Sequence, residues 1–472
     1  MVYRATVEKF GGSVLRNGEG VSKIINAIKT SFAQGDVVVV LSAVSGVTDR
    51  LISMAEKAEK GINVENEIDF LLQDHLQLIN NFISIPEEQK KATDKCKEYI
   101  EILYPMLNAI SRLKELTPRT LDYIAPFGEK VAIYILTHAL ISAGVAAKAI
   151  DGEEVIKTND NFGNAFPIFY ECQRAFKEKI LPIIKDGTIP VIAGFCGSTL
   201  KGITTTLGRG GSDFTATILG AVWPADEVIL WKDVTGLMSA NPKIISTAEI
   251  LEKVTYAEAA ELAHFGAEVL HPRCLIPAKK KDIPITIKSL FYPNKRTIIN
   301  KKPDEKEGIV KAIVALEDVA QITVSGEAMA GVPGVASEIF KLMAENLVNI
   351  KMISMGSSEV NVTFVVNLED GERAVRALKR SGNFGRVWNN VEIEDDIGVC
   401  AVVGEGMKFT PGVAGKVFSA LGRAGVNIRT IAQGSSELNI SFVVSRKDIP
   451  KALKAIHDAT YLRAPVKKAK QA

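Results

Sequence analysis

The sequence has 472 residues, which suggests roughly two to four domains because one hydrophobic core rarely grows beyond about 300 residues. Hydrophobic residues make up 47% of the chain and charged residues 24%, the composition of a soluble globular protein. The net charge of +2 provides no basic surface for nucleic acid, and no apolar run reaches the ~18 residues that a membrane helix needs.

Cysteine usage and the first residues of the chain bear on its compartment. The five cysteines stand far apart, with no CxxC pair, which argues for reduced thiols and against both a disulfide framework and a zinc site. The five histidines are equally scattered. Met1 leads straight into a strand-like segment with no signal peptide pattern. We therefore predict a cytoplasmic protein with no membrane or nucleic-acid partner.

Strand and helix patterns alternate along the first ~290 residues. A short strand at 6–10 runs into Gly11-Gly12-Ser13, and 37–43 is a continuous β-branched run, typical of a strand buried on both faces. Residues 61–144 have a long helical pattern. Further strand patterns, with helices between them, occur at 146–150, 190–195, 227–231 and 284–287. This alternation predicts an α/β fold with a mainly parallel sheet.

A glycine-rich segment, TTTLGRGGSDFTAT at 204–217, precedes a helical pattern. Ser212 and Asp213 directly before an apolar run are typical of a helix start. Gly210 and Gly211 let backbone N–H groups approach an anion closely, and a helix N-terminus adds unpaired donors. The segment predicts an anion site, with a plain glycine-rich turn as the alternative.

An internal repeat follows a polar linker at 292–308. Segments 332–366 and 410–444 share the motifs PGV, VNI and GSSE at an offset of 78 residues. Each copy runs through strand, helix, strand and strand patterns, so the tail holds two copies of one α+β module. The shared loops favour a binding geometry common to both copies, since loops carry function more often than they carry the fold; a duplicated structural cap is the alternative.

Six motifs occur in an order that is known from one family. They are KFGGS (9–13), LSAVSGVT (41–48), FGE (127–129), TLGRGGSD (206–213), WKDVTG (231–236) and FGAEVLHP (265–272). Together with the repeat, they resemble aspartate kinase, a member of the amino acid kinase superfamily whose tail carries paired ACT modules. The resemblance covers essentially the whole chain. It implies a monofunctional enzyme, without the homoserine dehydrogenase half of the bifunctional relatives.

The resemblance also implies a fold and a domain division. It implies an α/β amino acid kinase fold, with a mainly parallel sheet sandwiched by helices, and two C-terminal α+β ACT modules of ferredoxin-like fold. We expect a catalytic domain at 1–300, a first ACT domain at 309–395 and a second at 396–472. The C-terminal tail is a candidate to complete the first ACT domain.

The implied reaction is the ATP- and magnesium-dependent phosphorylation of the β-carboxylate of L-aspartate to 4-phospho-L-aspartate. In the family this is the first step of threonine, methionine and lysine synthesis. The attacking oxygen is already an anion, so no general base is needed. The protein's task is to position two negatively charged partners and to neutralise charge on the transferred group.

The resemblance assigns the charged residues to roles in this reaction. Lys9 is the implied catalytic cation among the phosphates, and Asp213 would orient Lys9 or reach the magnesium shell. For these two, a solvated strand-end lysine and a helix N-cap are the alternatives. Arg209 would pair with the α-carboxylate of aspartate and Glu129 with its α-ammonium. A helix-dipole role is the alternative for Glu129.

Loops after the predicted strands are the implied substrate and nucleotide contacts. Ser42 and Thr48 would contact aspartate, with turn or capping hydroxyls as the alternative. No residue is assigned directly to the metal. Two departures from the family pattern, Met238 and Glu268, lie in the nucleotide region and suggest relaxed specificity, which comparing rates with GTP and ATP would test. The implied ATP contacts are Lys9, Gly11, Gly12, Ser13, Gly210, Gly211, Ser212, Lys232, Asp233, Gly236, Met238 and Lys243.

The ACT repeat implies feedback regulation by an amino acid. Gln433 in the second copy replaces Met355 of the first, and its amide suits a hydroxyl-bearing ligand, which favours threonine over lysine. ACT pairing usually crosses subunits, so we expect a homodimer or homotetramer. The implied effector contacts are Asn349, Ile350, Ser358 and Glu359 in the first copy, with Asn427, Ile428 and Gln433 in the second.

Two other interpretations stay open at this point. One is another kinase of the superfamily, acting on glutamate or carbamate. The other is a catalytically inactive amino-acid sensor built on a degenerate kinase scaffold. The ACT repeat disfavours the first, and the intact Lys9, Arg209 and Asp213 disfavour the second.

Overall fold

A computed structural model describes residues 4–15, 18–266, 269–303, 308–356 and 360–460. The described residues divide between two compact units. The first lies within Met1–Leu237, Ile250–Tyr256 and Glu268–Pro303, and the second within Met238–Glu249, Ala257–Ala267 and Asp304–Ala472.

Strands of the first unit follow the predicted alternation. They are β1 (Arg4–Phe10), β2 (Gly35–Leu41), β3 (Ala147–Ile150), β4 (Lys157–Thr158), β5 (Ile189–Ala193), β6 (Cys196–Thr199), β7 (Thr204–Thr206), β8 (Glu227–Lys232), β9 (Lys253–Thr255), β10 (Ile285–Ser289) and β11 (Arg296–Asn300).

Thirteen labelled helices accompany these strands along the chain, and α12 contributes most of its length to the second unit. They are α1 (Gly12–Leu15), α2 (Gly18–Phe32), α3 (Val47–Glu59), α4 (Glu65–Phe82), α5 (Pro86–Leu113), α6 (Pro118–Ile124), α7 (Phe127–Ser142), α8 (Gly152–Val155), α9 (Phe169–Ala175), α10 (Leu181–Lys185), α11 (Gly211–Val222), α12 (Tyr256–His264) and α13 (Leu275–Lys281).

Eight strands form one large sheet in the order β3-β5-β2-β1-β8-β10-β11-β9. Every neighbouring pair is parallel except β10 and β11. Strand β1 lies between β2 and β8, so the carboxyl ends of these three strands meet at one edge. The predicted mainly parallel sheet is confirmed. A smaller sheet contains β4, β6 and β7.

The β-branched run in β2 is buried on both faces of the sheet, as its sequence predicts. Val39 and Leu41 pack into one core with α2 and α7, while Val38 and Val40, which point to the opposite face, are also fully buried. The segment Pro118–Ser142 is long and apolar enough to cross a membrane, but 83% of an apolar 18-residue stretch within it is buried inside the protein. That burial is typical of a core helix.

The second unit is built on a six-stranded antiparallel sheet in the order β13-β14-β12-β15-β17-β16. Its strands are β12 (Ala312–Ser325), β13 (Ile350–Met355), β14 (Asn361–Asn367), β15 (Asn390–Val403), β16 (Thr430–Ala432) and β17 (Asn439–Ser445). Its helices, besides α12, are α14 (Val335–Glu345), α15 (Gly371–Arg380), α16 (Val413–Arg423) and α17 (Ile449–Thr460).

Two long strands are each shared by both ACT modules. The second half of β12, from Val319, pairs with β14 of the first module, while its first half, 312–316, pairs with 399–403 of β15. The segment before the first module thus supplies the outer strand of the second, and the predicted boundary at 395 falls inside β15.

The sequence makes the C-terminal tail a candidate to complete the first module, but its described part after Val444 forms α17, whose Ile449, Leu453 and Ile456 are buried in the core of the second module. Residues 461–472 lie outside the described part of the chain.

Each ACT module has its own hydrophobic core. Ile322, Ile339 and Phe364 belong to the first core, and Val402, Val417 and Phe442 to the second. Ala240 and Ile245, from the excursion Met238–Glu249, are buried in the second core. This packing explains why part of the sequence between β8 and β9 belongs to the second unit.

Candidate active site

The turn of Gly11 and Gly12 after β1 packs against the loop after β2 at the carboxyl edge of the large sheet. The N–H of Gly11 donates to the carbonyl oxygen of Trp231 at 3.2 Å, which ties the end of β1 to that of β8. A Cβ on Gly12 would lie 2.1 Å from the carbonyl oxygen of Ala43, so only glycine fits there. The loops after β1, β2 and β8 therefore meet at one place. Ser13, beside them in α1, is half-buried.

A charge cluster of three side chains lies beside these turns. The Asp213 carboxylate receives Lys9 Nζ at 2.7 Å on Oδ1 and Lys232 Nζ at 2.6 Å on Oδ2. The three side chains come from the first turn of α11 and the carboxyl ends of β1 and β8. Lys9 and Asp213 are buried, and Lys232 is nearly so. We call this set the Lys–Asp–Lys cluster.

Electrostatics favours the ionised form of Asp213 in spite of its burial. Burial raises the pKa of Asp213, but the ammonium groups of Lys9 and Lys232 outweigh that effect and hold it at about 2. Burial lowers the pKa of Lys9, an effect that the Asp213 carboxylate opposes. With two cations around one anion, the cluster carries a net positive charge next to the glycine turns, which is suited to phosphate oxygens.

Helix α11 begins at Gly211, ahead of the Ser212–Asp213 pair that the sequence pattern gives as its start. Gly210 is its N-cap, with φ 70° in the left-handed region, and a Cβ there would lie 2.5 Å from Cβ of His271. Asp213 therefore lies inside the first turn and is not the N-cap, which removes that alternative for it. Gly211 and Ser212 are buried in the same turn. The turn forms the predicted helix N-terminus, in which the Gly211 N–H donates to the carbonyl oxygen of Gly208 at 3.0 Å.

Arg209 stands exposed at the tip of the same turn. Within the described part of the chain, no carboxylate lies within ion-pair distance of its guanidinium. Its planar donors are thus available for a carboxylate ligand. The structure places Arg209 one residue before the N-cap Gly210, on the turn that leads to the cluster.

Glu129, in the first turn of α7, is a buried carboxyl group that the fold leaves incompletely paired. Its Oε2 has no hydrogen-bond partner within the described residues. Burial raises the pKa of Glu129 to about 8, although the backbone N–H of Ala43 and the charge of Lys9 oppose this. A Cβ on Gly128 would lie 2.7 Å from Val47 Cγ1, so glycine allows α7 to approach the loop after β2.

Ser42 and Thr48 lie on the two sides of that loop. The N–H of Ser42 donates to Phe10 at 3.2 Å, and Thr48 is in the first turn of α3; both side chains are half-buried. Gly46, the N-cap of α3, has φ 84°. The loop thus brings two hydroxyl groups to the sheet edge where Glu129 and Lys9 lie.

The raised pKa of Glu129 predicts a pH-dependent KM for a substrate ammonium group. Below about pH 8 the carboxyl gains a proton and can no longer pair with a cation, so KM for L-aspartate, the substrate that the family resemblance implies, should rise as pH falls from 9 to 6. Steady-state kinetics across this range tests it. Glu129→Gln should raise KM and abolish its pH dependence. A flat KM in the wild type would contradict the pairing.

Ionisation of Glu129 also makes the unfolding free energy depend on pH, with the opposite sign to that of a paired carboxylate. Its pKa in the folded protein, about 8, lies above its ordinary value of 4.5. Between these values the unfolded chain releases its proton first, so the Glu129 contribution to the unfolding free energy falls as pH rises. A substrate cation that pairs with the carboxylate would restore it.

Two residues that the sequence analysis missed hold the glycine-rich segment in place. The buried Asp122 accepts hydrogen bonds from the Thr206 hydroxyl at 2.6 Å, from the Thr206 N–H at 2.9 Å and from the Gly163 N–H at 2.8 Å. Arg273 donates to the carbonyl oxygens of Leu207 at 3.0 Å and Ala165 at 2.9 Å. Neither residue belongs to a spacing pattern, although Arg273 follows the motif FGAEVLHP directly.

Arg273 is expected to act as a positioning residue for the turn that carries Arg209. Its guanidinium lies between the rings of Phe166 and Phe214, with centroids 4.6 and 5.0 Å away. Arg273→Lys keeps the charge but removes the planar fork, so KM for L-aspartate, the substrate implied by the resemblance, should rise about tenfold. KM for ATP should stay within about twofold. Equal losses for both substrates, together with a lowered Tm, would indicate a purely structural role.

The remaining predicted nucleotide contacts are divided between the two units. Asp233 is exposed directly after β8, and Gly236 is buried with φ 147°, where a Cβ would lie 2.4 Å from Thr297 Oγ1. Met238 is half-buried and Lys243 exposed, and both lie in the excursion that belongs to the second unit. Glu268, the predicted charge reversal, lies outside the described residues.

The predicted effector contacts occupy matching places in the two ACT modules. Asn349 and Asn427 are exposed at the ends of the helix-to-strand connections, and Ile350 and Ile428, which follow them, are half-buried. Gln433 is exposed after β16. Ser358 and Glu359 lie outside the described residues.

The described residues form no cluster of side chains that could bind magnesium by itself. Among the described residues, no group of three or more His, Cys, Asp or Glu side chains could hold a metal ion. Both oxygens of Asp213 are already held by ammonium groups. A metal would therefore depend on substrate phosphates for most of its ligands.

Comparisons with known proteins show which families this chain is similar to. A model of the amino acid kinase family matches residues 4–289, and an ACT domain model matches 322–381 and 400–460. The chain is 30% identical to aspartokinase 2, chloroplastic, of Arabidopsis thaliana, over 97% of this chain and 85% of that protein. It is 33% identical to the bifunctional aspartokinase/homoserine dehydrogenase 1, chloroplastic, of the same plant, over 97% of this chain. It spans 51%, about half, of that bifunctional relative.

Two solved states of aspartokinase III from E. coli have the same fold. The R-state, in complex with aspartate and ADP, superposes with a TM-score of 0.84 at 26% identity, covering 97% of this chain and 100% of that one. The T-state, in complex with lysine and aspartate, gives a TM-score of 0.79 at 27% identity, covering 97% and 99%.

Proposed function

Since the chain belongs to the amino acid kinase family and is related to aspartokinases, we propose that it transfers the γ-phosphoryl group of ATP to the β-carboxylate of L-aspartate. The product would be 4-phospho-L-aspartate, the entry to threonine, methionine and lysine synthesis. The observation that carries this proposal is the Lys–Asp–Lys cluster. It lies beside the Gly11–Gly12 turn and in the first turn of α11, which Gly210 caps. A cationic cluster at the carboxyl edge of a parallel sheet suits a phosphoryl transfer between two anions.

In this proposal the cluster and the turns hold the phosphates of ATP. Lys9 and Lys232 are fixed by one carboxylate, so their charges need no reorganisation when the phosphoryl group moves. The backbone N–H groups near Gly11 and Gly210 can approach phosphate oxygens because glycine adds no side chain. Asp213 positions the two ammonium groups and does not itself touch the anionic phosphates.

Aspartate needs one protein group of each sign, and the site offers both. Arg209, which is exposed and without a carboxylate partner among the described residues, is the candidate for the α-carboxylate. Glu129 is the candidate for the α-ammonium. Ser42 and Thr48 would add hydroxyl contacts from the loop between them. The E. coli enzyme solved with aspartate and ADP supports the same substrate pair.

The first test of this proposal is substrate selectivity. ADP formation should depend on L-aspartate, and replacing it with L-glutamate should lower kcat/KM by at least about 100-fold, because the extra methylene displaces the reacting carboxylate. A preference for L-glutamate would favour another kinase of the superfamily. The complete Lys–Asp–Lys cluster disfavours the inactive-sensor alternative.

We also propose that the ACT modules bind an amino-acid effector that inhibits the enzyme. Threonine remains our first choice because the exposed Gln433 amide suits a hydroxyl group. Lysine is the direct competitor, since the related E. coli enzyme was solved with lysine in its T-state. Inhibition curves with each amino acid decide between them. An inhibitor must favour the inactive state by its differential affinity, typically about 1–3 kcal/mol.

The assembly and the domain division belong to the same proposal. We propose that the chain forms a homodimer or homotetramer through its ACT modules, which sedimentation velocity would measure. We propose domain boundaries near residues 300 and 395, with β12 and β15 shared between the two modules. Limited proteolysis should cut first near 300, because the β12–β15 ladder joins the two modules into one sheet.

A further inference from the structure

The turn that follows β5 holds a bulky residue in an unfavourable backbone conformation. Phe195 has φ 69°, in the left-handed region that side chains of its size rarely adopt. The N–H of Cys196 donates to the carbonyl oxygen of Gly194 at 2.8 Å, a bond between residues two apart. This bond and the positive φ define the rarer and more strained form of the γ-turn. Such strain persists only where the surrounding structure holds it, and it is concentrated at functional sites.

The γ-turn at 194–196 is bonded to two segments of the candidate site. The N–H of Gly194 donates to the carbonyl oxygen of Leu41 at 2.9 Å, where the loop after β2 starts. The carbonyl oxygen of Phe195 accepts the N–H of Leu207 at 2.9 Å, two residues before Arg209. The turn therefore joins the loop after β2 to the glycine-rich segment.

The same turn packs closely against the start of α11. A Cβ on Gly211 would lie 2.7 Å from Cδ2 of the Phe195 ring. A Cβ on Gly194 would lie 2.7 Å from Cβ of Ser212. Because glycine is needed on both sides of this contact, the γ-turn and the first turn of α11 cannot shift independently of one another.

The hydroxyl group of Thr215 ties the strained residue to this helix. The N–H of Phe195 donates to Thr215 Oγ1 at 3.1 Å, and the hydroxyl in turn donates to the carbonyl oxygen of Gly211 at 2.9 Å. Thr215 is completely buried. Removing its hydroxyl would leave the amide of the strained residue without this acceptor, which is costly.

A second threonine on α11 shows what an ordinary buried hydroxyl does in this helix. Thr217 is also completely buried, and its hydroxyl donates to the carbonyl oxygen of Phe214 at 3.0 Å, within the helix itself. Bonding back to the same helix is common for threonine and implies no function. Thr215 makes such a bond too, but it also accepts from Phe195, which lies outside the helix.

We propose that Thr215 is a positioning residue for the L-aspartate site. Through the amide of Phe195 it holds the γ-turn, and the turn sets the relative places of the loop after β2, of the segment that carries Arg209 and of the α11 N-terminus. The proposal rests on the proposed function, which places aspartate among these three segments. Lys9 and Lys232 are held by Asp213 instead, so the effect should be larger for aspartate than for ATP.

Steady-state kinetics of three variants tests the proposal. Thr215→Val keeps the shape of the side chain and removes the hydroxyl, so kcat/KM for L-aspartate should fall at least about tenfold, while KM for ATP stays within about twofold. Thr215→Ser keeps the hydroxyl and should stay within about twofold of the wild type. Thr217→Val removes a buried hydroxyl that bonds only its own helix in the described structure, and as the matched control it should also stay within about twofold.

Hydrogen exchange measures the position of the turn without any substrate. The amides of Phe195 and Leu207 both depend on the γ-turn for their bonds. Peptides that contain them should exchange at least about threefold faster in Thr215→Val than in Thr217→Val, as followed by mass spectrometry. If Thr215→Val does not fold, Thr215→Ala takes its place with the same expected results.

Two results would overturn the proposal. One is that Thr215→Val matches Thr217→Val in both kcat/KM for L-aspartate and exchange. The other is an equal loss for L-aspartate and ATP with faster exchange throughout the first unit, which would show a purely structural role. A wild type that does not phosphorylate L-aspartate would refute the proposed function and the kinetic part of this proposal. The exchange comparison would then still decide whether Thr215 holds the γ-turn.

Discussion

Replacing Lys9 with alanine should lower kcat by on the order of 10²–10³, the usual cost of removing one preorganised charge from a transition state. Lys9 is buried beside the glycine turns, where no other described lysine than Lys232 reaches Asp213. Low dielectric makes its charge count for more than it would in water. Steady-state turnover with ATP and L-aspartate measures the loss.

The fold should survive this substitution, which makes the result interpretable. In Lys9→Ala the Asp213 carboxylate keeps its ion pair with Lys232, so no buried charge is left alone. Lys201→Ala removes an exposed lysine and serves as the matched control, with kcat unchanged. A folded Lys9→Ala protein that retains most of its activity would refute the role given to this residue.

Asp213→Asn should destabilise the fold more than Lys9→Ala does, because it removes the only carboxylate that both cluster lysines contact among the described residues. Two nearly buried ammonium groups would then repel one another without a counter-ion. Breaking a buried ion pair by removing one partner typically lowers the unfolding free energy by about 3–5 kcal/mol. Denaturant unfolding measures this. The exposed Asp233→Asn is the matched control and should shift stability by less than about 0.5 kcal/mol.

The cluster also makes stability depend on pH at the acid end. The pKa of Asp213 is about 2 in the folded protein, below its ordinary value of 3.8. A lowered pKa adds stability that is fully present above about pH 4 and is lost as pH falls toward 2. Asp213→Asn should abolish this part of the acid dependence. If both proteins lose stability equally between pH 4 and 2, the ion pairs are not stabilising.

Much of the fold follows from local sequence patterns. The β-branched run at 37–43 and the alternation of strands and helices correctly predict a mainly parallel sheet. The repeat with its 78-residue offset correctly predicts two α+β modules. These features are legible because periodicity and repetition act over short stretches of chain.

The shared strands of the ACT modules could not be read in this way. Residues 312–316 have an ordinary strand pattern, and nothing in it shows that they pair with β15 of the second module. Pairing between distant strands is decided by the whole sheet, not by local propensity. The excursion Met238–Glu249 is a similar case, because its burial depends on a core contributed mostly by residues far along the chain.

In the candidate site, too, some features can be predicted from sequence motifs and others become visible only in the folded structure. The motifs bring Lys9 and Asp213 to attention, but the ion pair between Lys232 and Asp213 becomes visible only once β8 lies beside β1. Asp122 and Arg273 act through backbone groups of residues remote in sequence. Such contacts leave no spacing signal, and a single sequence cannot show them.

The most direct test of the proposed reaction is to trap its product. The wild-type protein is incubated with ATP, magnesium, L-aspartate and hydroxylamine, and the hydroxamate is identified by mass spectrometry. Hydroxylamine converts an acyl phosphate into a hydroxamate, so ATP hydrolysis alone gives none. We predict the β-hydroxamate of aspartate from the wild type and almost none from Lys9→Ala. Folded wild-type protein that yields no aspartyl hydroxamate would contradict the kinase assignment and favour an amino-acid sensor.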